Sequence, residues 1–215
     1  MAALLPRGVV AYEMKGLCSA DSLFDAERDC LAKASAPRLQ EFAAGRACAR
    51  AALSALGWSA GPILVGADRS PVWPPGFAGS ISHTMGYCLA VAAKRSDAGA
   101  AIRSLGVDAE TMGSVTSDLW SHLMRDEEVN HLLRLGEAEQ AVHASLIFSA
   151  KEAFYKAQYP LTHGWVNFED VAVELGDSTF VATLRNTDLP IAKQALTFEG
   201  KFRIDYPYVV TAMAI

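Results

Sequence analysis

A helical stretch followed by several short strands occurs twice in this chain, once on each side of about Thr111, and that order admits few architectures. Residues 35–57 read as a helix: Ser35 suits an N-cap, Pro37 fits the first turn, Ala and Leu fill the body, and Gly57 is a terminator. A Pro/Gly-rich connector covers residues 61–79. Residues 79–83, 87–93 and 103–110 then read as strands, short and rich in small or β-branched side chains. After Glu110 the pattern becomes helical over about 117–135 and again over about 149–158, and the tail returns to strands at 171–175, 179–184, 201–206 and 208–214. The expectation is an α+β protein of two similar halves, residues 1–110 and 111–215. No low-complexity linker separates them, which favours one compact body with a cleft between the halves.

Composition narrows the function classes. With 51% hydrophobic residues among 215, the chain is long enough to bury a real core. A formal net charge of -5 argues against a broad nucleic-acid surface, which needs a basic face, but leaves room for a local basic pocket. Cys18, Cys30, Cys48 and Cys88 form no C-x-x-C pair, so reduced, mostly buried thiols are expected rather than a zinc ribbon or redox site. The apolar start is broken by Pro6 and Arg7, and no run reaches the roughly 18 apolar residues of a membrane span. A soluble cytoplasmic protein is the expectation.

Four features carry chemistry. On the helix at 35–57, a step of about 100° per residue puts Arg46 and Arg50 among Leu39, Phe42, Ala43 and Leu53. A guanidinium cannot shed its charge, so each needs a carboxylate or phosphate partner; an Arg–carboxylate bridge and an anionic ligand both satisfy that need. Gly45 would let a bulky partner approach the backbone, and Arg38 near the helix N-terminus opposes the dipole unless an anion binds there. The second feature is Trp73-Pro74-Pro75-Gly76 leading to Gly79-Ser80-Ile81-Ser82-His83-Thr84. Small hydroxyl residues and His83 are donors for an anion, although hydroxyls beside a turn also cap it and a lone His is commonly structural.

The third feature is Gly106-Val107-Asp108-Ala109-Glu110, whose two carboxylates project from one face of a strand. They repel each other unless a cation intervenes, and hard oxygen ligands suit magnesium better than zinc; an exposed acidic strand end is the alternative. The fourth is residues 148–157, FSAKEAFYKA, where Lys151, Glu152 and Lys156 crowd between Phe148, Phe154 and Tyr155. Ser149 and Glu152 have capping-box spacing, and Glu152 with Lys156 is an i,i+4 pair, so two structural readings stand beside a catalytic one.

In this order the four features resemble the motifs of the 4'-phosphopantetheinyl transferases of the Sfp/EntD class. FAAGRACARAAL is similar to the helix with its Gly-Arg pair, WPPGFAGSISHT to W-P-x-G…G-S-[IL]-[ST]-H, GVDAE to G-[IV]-D-x-E, and FSAKEAFYKA to F-S-x-K-E-x-x-Y-K. The stretch Trp165-Val166-Asn167-Phe168-Glu169-Asp170 resembles the family's W-x-x-F-x-D. The segment before about residue 34 and the strands after residue 175 match only in character.

The resemblance implies a pseudo-twofold fold with its active site between the halves, and transfer of the 4'-phosphopantetheine arm of coenzyme A to a serine of an apo acyl or peptidyl carrier protein, leaving 3',5'-ADP. It implies that Asp108, Glu110 and Glu152 hold Mg²⁺, with Mn²⁺ an alternative, and that Glu152 is the base and Lys156 assists the leaving group. Coenzyme A would meet Arg38, Arg46, Arg69, Ser82, His83, Asp108, Lys151 and Lys156, with Trp165 and Val166 along the pantetheine arm. Arg50 is left structural. A monomer serving siderophore, polyketide or nonribosomal-peptide carriers is implied. Residues 111–143 are a candidate docking segment whose Asp126–Glu128 run would repel an acidic partner.

Overall fold

The structure, a computed structural model, describes residues 3–16, 18–31, 33–95 and 102–215. They form an α+β fold divided into two compact units, Met1–Leu105 and Gly106–Ile215. The first holds β1 (Val9–Lys15), α1 (Asp25–Asp29), α2 (Ala36–Ala55), β2 (Phe77–Thr84) and β3 (Tyr87–Lys94). Its strands make an antiparallel sheet in the order β1-β3-β2. The second holds β4 (Leu105–Thr111), α3 (Trp120–Leu123), α4 (Asp126–Leu132), α5 (Glu137–Thr162), β5 (Val171–Leu175), β6 (Thr179–Leu184), β7 (Thr197–Asp205) and β8 (Tyr208–Ala214), with strand order β4-β8-β7-β6-β5. Each unit thus begins with a strand, continues with one long helix, and returns its last strand to pair with its first. Among the described residues no helix is long and apolar enough to cross a membrane.

In the first unit α2 presents Ala44, Cys48, Ala52 and Leu53 to Cys88, Ala90 and Ala92 of β3. Small side chains set the close approach. At Gly45 a Cβ would come 3.0 Å from Ile81 Cγ2, so the bulky neighbour expected there is a side chain of β2. Strand periodicity puts Phe77, Ile81 and His83 on the α2 face of β2 and Ser80 and Ser82 on the other. β1 is a strand the sequence reading lacks; its pairing with β3 along its whole length makes it one.

In the second unit Ile147, Ala150 and Phe154 of α5 pack on Phe180, Phe198, Phe202, Val209 and Met213. Each of the larger buried side chains among these contributes about 1.5–3 kcal/mol. Two helix expectations are corrected. The helix expected over about 149–158 is the C-terminal part of α5, which starts at Glu137, so Ser149 lies mid-helix and bonds Thr211 Oγ1 at 2.8 Å. Ser149 and Glu152 therefore form no capping box. The helix expected over about 117–135 is broken into a 3₁₀ turn at Ser117–Leu119, then α3 and α4, because Met124 and Arg125 are extended and the Glu128 carboxylate caps the restart by accepting Arg125 N–H at 2.8 Å.

Both units repeat one buried device. In the first, Glu27 accepts the Phe24 N–H at 3.0 Å, the Ile63 N–H at 2.8 Å and Arg50 Nη1 at 2.8 Å. In the second, Glu128 accepts the Arg125 N–H, the Val173 N–H at 2.7 Å and Lys151 Nζ at 2.6 Å. Each carboxylate caps a short helix, bonds the main chain of a distant segment and pairs with a cation on the long helix. Charges with every oxygen engaged in this way tolerate burial. Arg50 is thus structural, as expected.

Candidate functional site

The second unit brings Asp108, Glu110, Glu152 and Lys156 together because β4 lies almost against the backbone of α5. A Cβ on Gly106 would fall 1.9 Å from the Ala153 carbonyl oxygen and 2.8 Å from Ala157 N, so no larger residue fits there. Period-two alternation then turns Asp108 and Glu110 to the same face as Gly106, toward the helix turns carrying Glu152 and Lys156. Asp108 Oδ1 accepts Lys156 Nζ at 2.6 Å, and Glu110 Oε2 accepts Ser114 Oγ at 3.2 Å.

The carboxylates feel one another. Burial, then Asp108, push the Glu110 carboxyl up to about 7, with a smaller push from Glu152. Burial also raises Glu152; Lys156 opposes that rise and Asp108 adds to it. Burial alone would lower Lys156, but Asp108, Glu152 and Glu110 hold it above the ordinary lysine range. Among the described residues no three His, Cys, Asp or Glu side chains form a group placed to hold a metal ion. Lys156 supplies the positive charge against Asp108 instead.

Beside Glu152 opens a cavity of about 850 Å³ within the same unit, walled by Met124, Phe154, Tyr155, Trp165 and Val166. Trp165 is exposed, edge-on to Tyr155 at 5.5 Å, with its indole N–H on Asn167 Oδ1 at 2.9 Å. Lys151 also borders this space, but its ammonium turns inward to Glu128, the Leu123 carbonyl at 3.2 Å and the Phe168 carbonyl at 2.9 Å. Three donors meet three acceptors. The phosphate contact expected of Lys151 therefore has no N–H left to make it. Glu128, read in the sequence as part of an acidic run that would repel an acidic partner, is buried, its carboxylate reaching back to the Arg125 N–H three residues earlier.

The first unit contains a second cavity, of about 520 Å³, bordered by Arg38, Arg46, Arg69 and His83. Three arginines and a histidine that the sequence spreads over 46 positions, from 38 to 83, thus share one wall. Arg46 is buried: its Nε–H donates to the Ile63 carbonyl at 2.7 Å and its guanidinium lies over the Phe42 ring, 4.1 Å from the centroid. Desolvation lowers it to about 10, a value at which it is still charged at neutral pH. Arg69 reaches the cavity from a turn where its φ is 69°. Ser82, by strand alternation, points away from the face that carries Ile81 and His83, and it does not line this cavity. Glu41, which the sequence reading lacks, does line it, and its spacing three residues after Arg38 was the available signal.

These sites lie in segments that match two family models, the 4'-phosphopantetheinyl transferase N-terminal domain over residues 26–93 and the 4'-phosphopantetheinyl transferase superfamily over residues 104–207. The chain is 38% identical over 197 residues to the 4'-phosphopantetheinyl transferase Svp of Streptomyces mobaraensis, covering 90% of this chain and 78% of that protein. It is 31% identical over 228 residues to Npt of Nocardia iowensis, covering 98% and 97%. With enterobactin synthase component D of Salmonella typhi it shares 32% identity over 150 residues, 69% of this chain and 60% of that one. The chain belongs to the 4'-phosphopantetheinyl transferase superfamily. It is accordingly a transferase enzyme.

Proposed function

We propose that the protein moves the 4'-phosphopantetheine arm of coenzyme A onto the serine hydroxyl of an apo acyl or peptidyl carrier protein and releases 3',5'-ADP. The observation that carries this reading is the meeting of Asp108, Glu110, Glu152 and Lys156 across the Gly106 contact. By their chemistry rather than by their present spacing, the three carboxylates suit a hard divalent ion such as Mg²⁺, whose charge would relieve their mutual repulsion. Asp108, Glu110 and Glu152 would hold it. When bound, it supplies charge neutralisation for the pyrophosphate.

Glu152, ionised, takes the proton of the carrier serine directly or through water. The serine oxygen forms a bond to the β-phosphorus as the bond from that phosphorus to the oxygen of 3',5'-ADP breaks. Lys156 donates a charge-assisted hydrogen bond to the departing phosphate. In the first unit Arg38, Arg46, Arg69 and His83 take the phosphates of the nucleotide end, and in the second the cavity beside Glu152 accepts the pantetheine arm along Trp165 and Val166. Similarity to enterobactin synthase component D favours carriers of siderophore or related peptide synthesis.

The test is intact-mass analysis of apo carrier after incubation with coenzyme A and Mg²⁺. A phosphopantetheine adduct is expected, lost with Glu152→Gln. Coenzyme A cleavage without a carrier would point to a hydrolase, and an unmodified panel of carriers with intact coenzyme A would sink the transfer reading.

A further inference from the structure

We infer that Glu41 is an internal stand-in for ligand phosphate: its carboxylate occupies the cationic cavity of the free enzyme and must yield when the nucleotide binds, so that it sets how readily that nucleotide leaves. Among the described residues it is the one carboxylate bordering that cavity, where every other charged side chain is an arginine. Its Oε2 accepts Arg38 Nη1 at 3.2 Å and lies 3.9 Å from His83 Nδ1. Arg38 Nη1 is also 2.7 Å from His83 Nε2. A guanidinium has donors only, so Nε2 is the acceptor and the ring proton sits on Nδ1, the nitrogen that faces Glu41. One carboxylate oxygen thus lies against two of the four groups assigned to phosphate, Arg38 and His83.

Helix geometry explains why this residue has the role. Arg38, Glu41, Phe42, Gly45 and Arg46 recur at three- and four-residue spacing, so one stripe of α2 faces the cavity and puts one anion among its cations. Arg38 and Glu41 are 48% and 43% exposed, which keeps the pair weak enough to exchange for a phosphate. A buried pair, like Glu27 with Arg50, would not exchange. Coulomb's law sets the sign: a carboxylate beside Arg38 attracts the cation that the phosphate needs and repels the phosphate itself. Removing its charge while keeping its shape therefore tightens binding and slows departure of product.

The inference rests on the cavity holding nucleotide phosphates, and the experiment separates the two. The dissociation constant of 3',5'-ADP is measured by calorimetry for the wild type, Glu41→Gln and Arg46→Ala, together with product inhibition of transfer. Glu41→Gln is expected to bind about fivefold tighter at low salt, an increment of the size an exposed ion pair confers, and the gain should shrink in about 0.5 M salt. Its KM for coenzyme A falls and inhibition by 3',5'-ADP strengthens, while its melting temperature stays put. Arg46→Ala should bind at least tenfold more weakly. If Arg46→Ala weakens binding but Glu41→Gln leaves it unchanged or weaker, Glu41 organises the arginine rather than competing for it, and the inference is overturned. Unchanged binding by Arg46→Ala would instead remove the cavity reading itself, and this inference with it.

Discussion

Two lysines five positions apart in one motif have different fates, and the difference lies in what each ammonium faces. Lys151 is spent on Glu128 and two carbonyls in the interior, whereas Lys156 meets Asp108 at a partly exposed site. Lys151→Met should therefore lower stability by about 3 kcal/mol or more, the cost of leaving Glu128 buried without its cation. The fraction that stays folded should keep its KM for coenzyme A within about twofold. Urea melts and initial rates measure both, and a stable variant with a greatly raised KM would return Lys151 to the phosphates. The sequence showed that these charges were crowded among aromatics, but the buried Glu128 lies outside the motif, so nothing within FSAKEAFYKA marked which lysine turns inward.

At the scale of elements, the pairing of β4 with α5 is what makes the carboxylate site. Gly106→Ala puts a methyl group onto the Ala153 carbonyl, and backbone on both sides leaves no rotamer to absorb it. The expected loss is about 3 kcal/mol or more, accompanied by loss of transfer because Asp108 and Glu110 move away from Glu152; thermal melts and carrier mass shifts report the two effects. The joint between α4 and α5 makes a different prediction. His131 Nε2 and His143 Nδ1 lie 3.0 Å apart, and burial followed by the neighbouring imidazole lowers the pKa of His143 below its ordinary 6.5. The unfolded chain then takes up that proton more readily than the folded one. Stability from this group is present above about pH 6.5 and is lost as pH falls below it, so the urea midpoint should drop between pH 7 and pH 5 and His143→Gln should reduce the slope. An unchanged slope in that variant would exclude His143 as its source.

For the whole molecule, the apolar cores lie on α2 with its sheet and on α5 with its sheet, and in the charged site the carboxylates repel one another, with Lys156 giving partial relief. Chelation with EDTA should therefore stop transfer without altering far-UV circular dichroism, and added Mg²⁺ should restore it and raise the melting temperature at about pH 8, where Glu110 is ionised. A chain that unfolds on chelation would show the ion to be structural instead.

The α+β class, the long helix α2, most of the strands, the acidic pair on one strand face and the arginines on one helix face were legible in the sequence, because periodicities of 3.6 and 2 encode which side chains share a face. Only the tertiary structure decided that Lys151 is interior while Arg38 borders a cavity, that Arg50 pairs with the buried Glu27, that Glu128 is buried, that Ser82 turns away from His83's face, and that α5 begins at Glu137. A face is a local property of the chain. The fate of a charge placed on that face depends on partners many residues away, and burial becomes tolerable only where folding brings them to hydrogen-bonding distance.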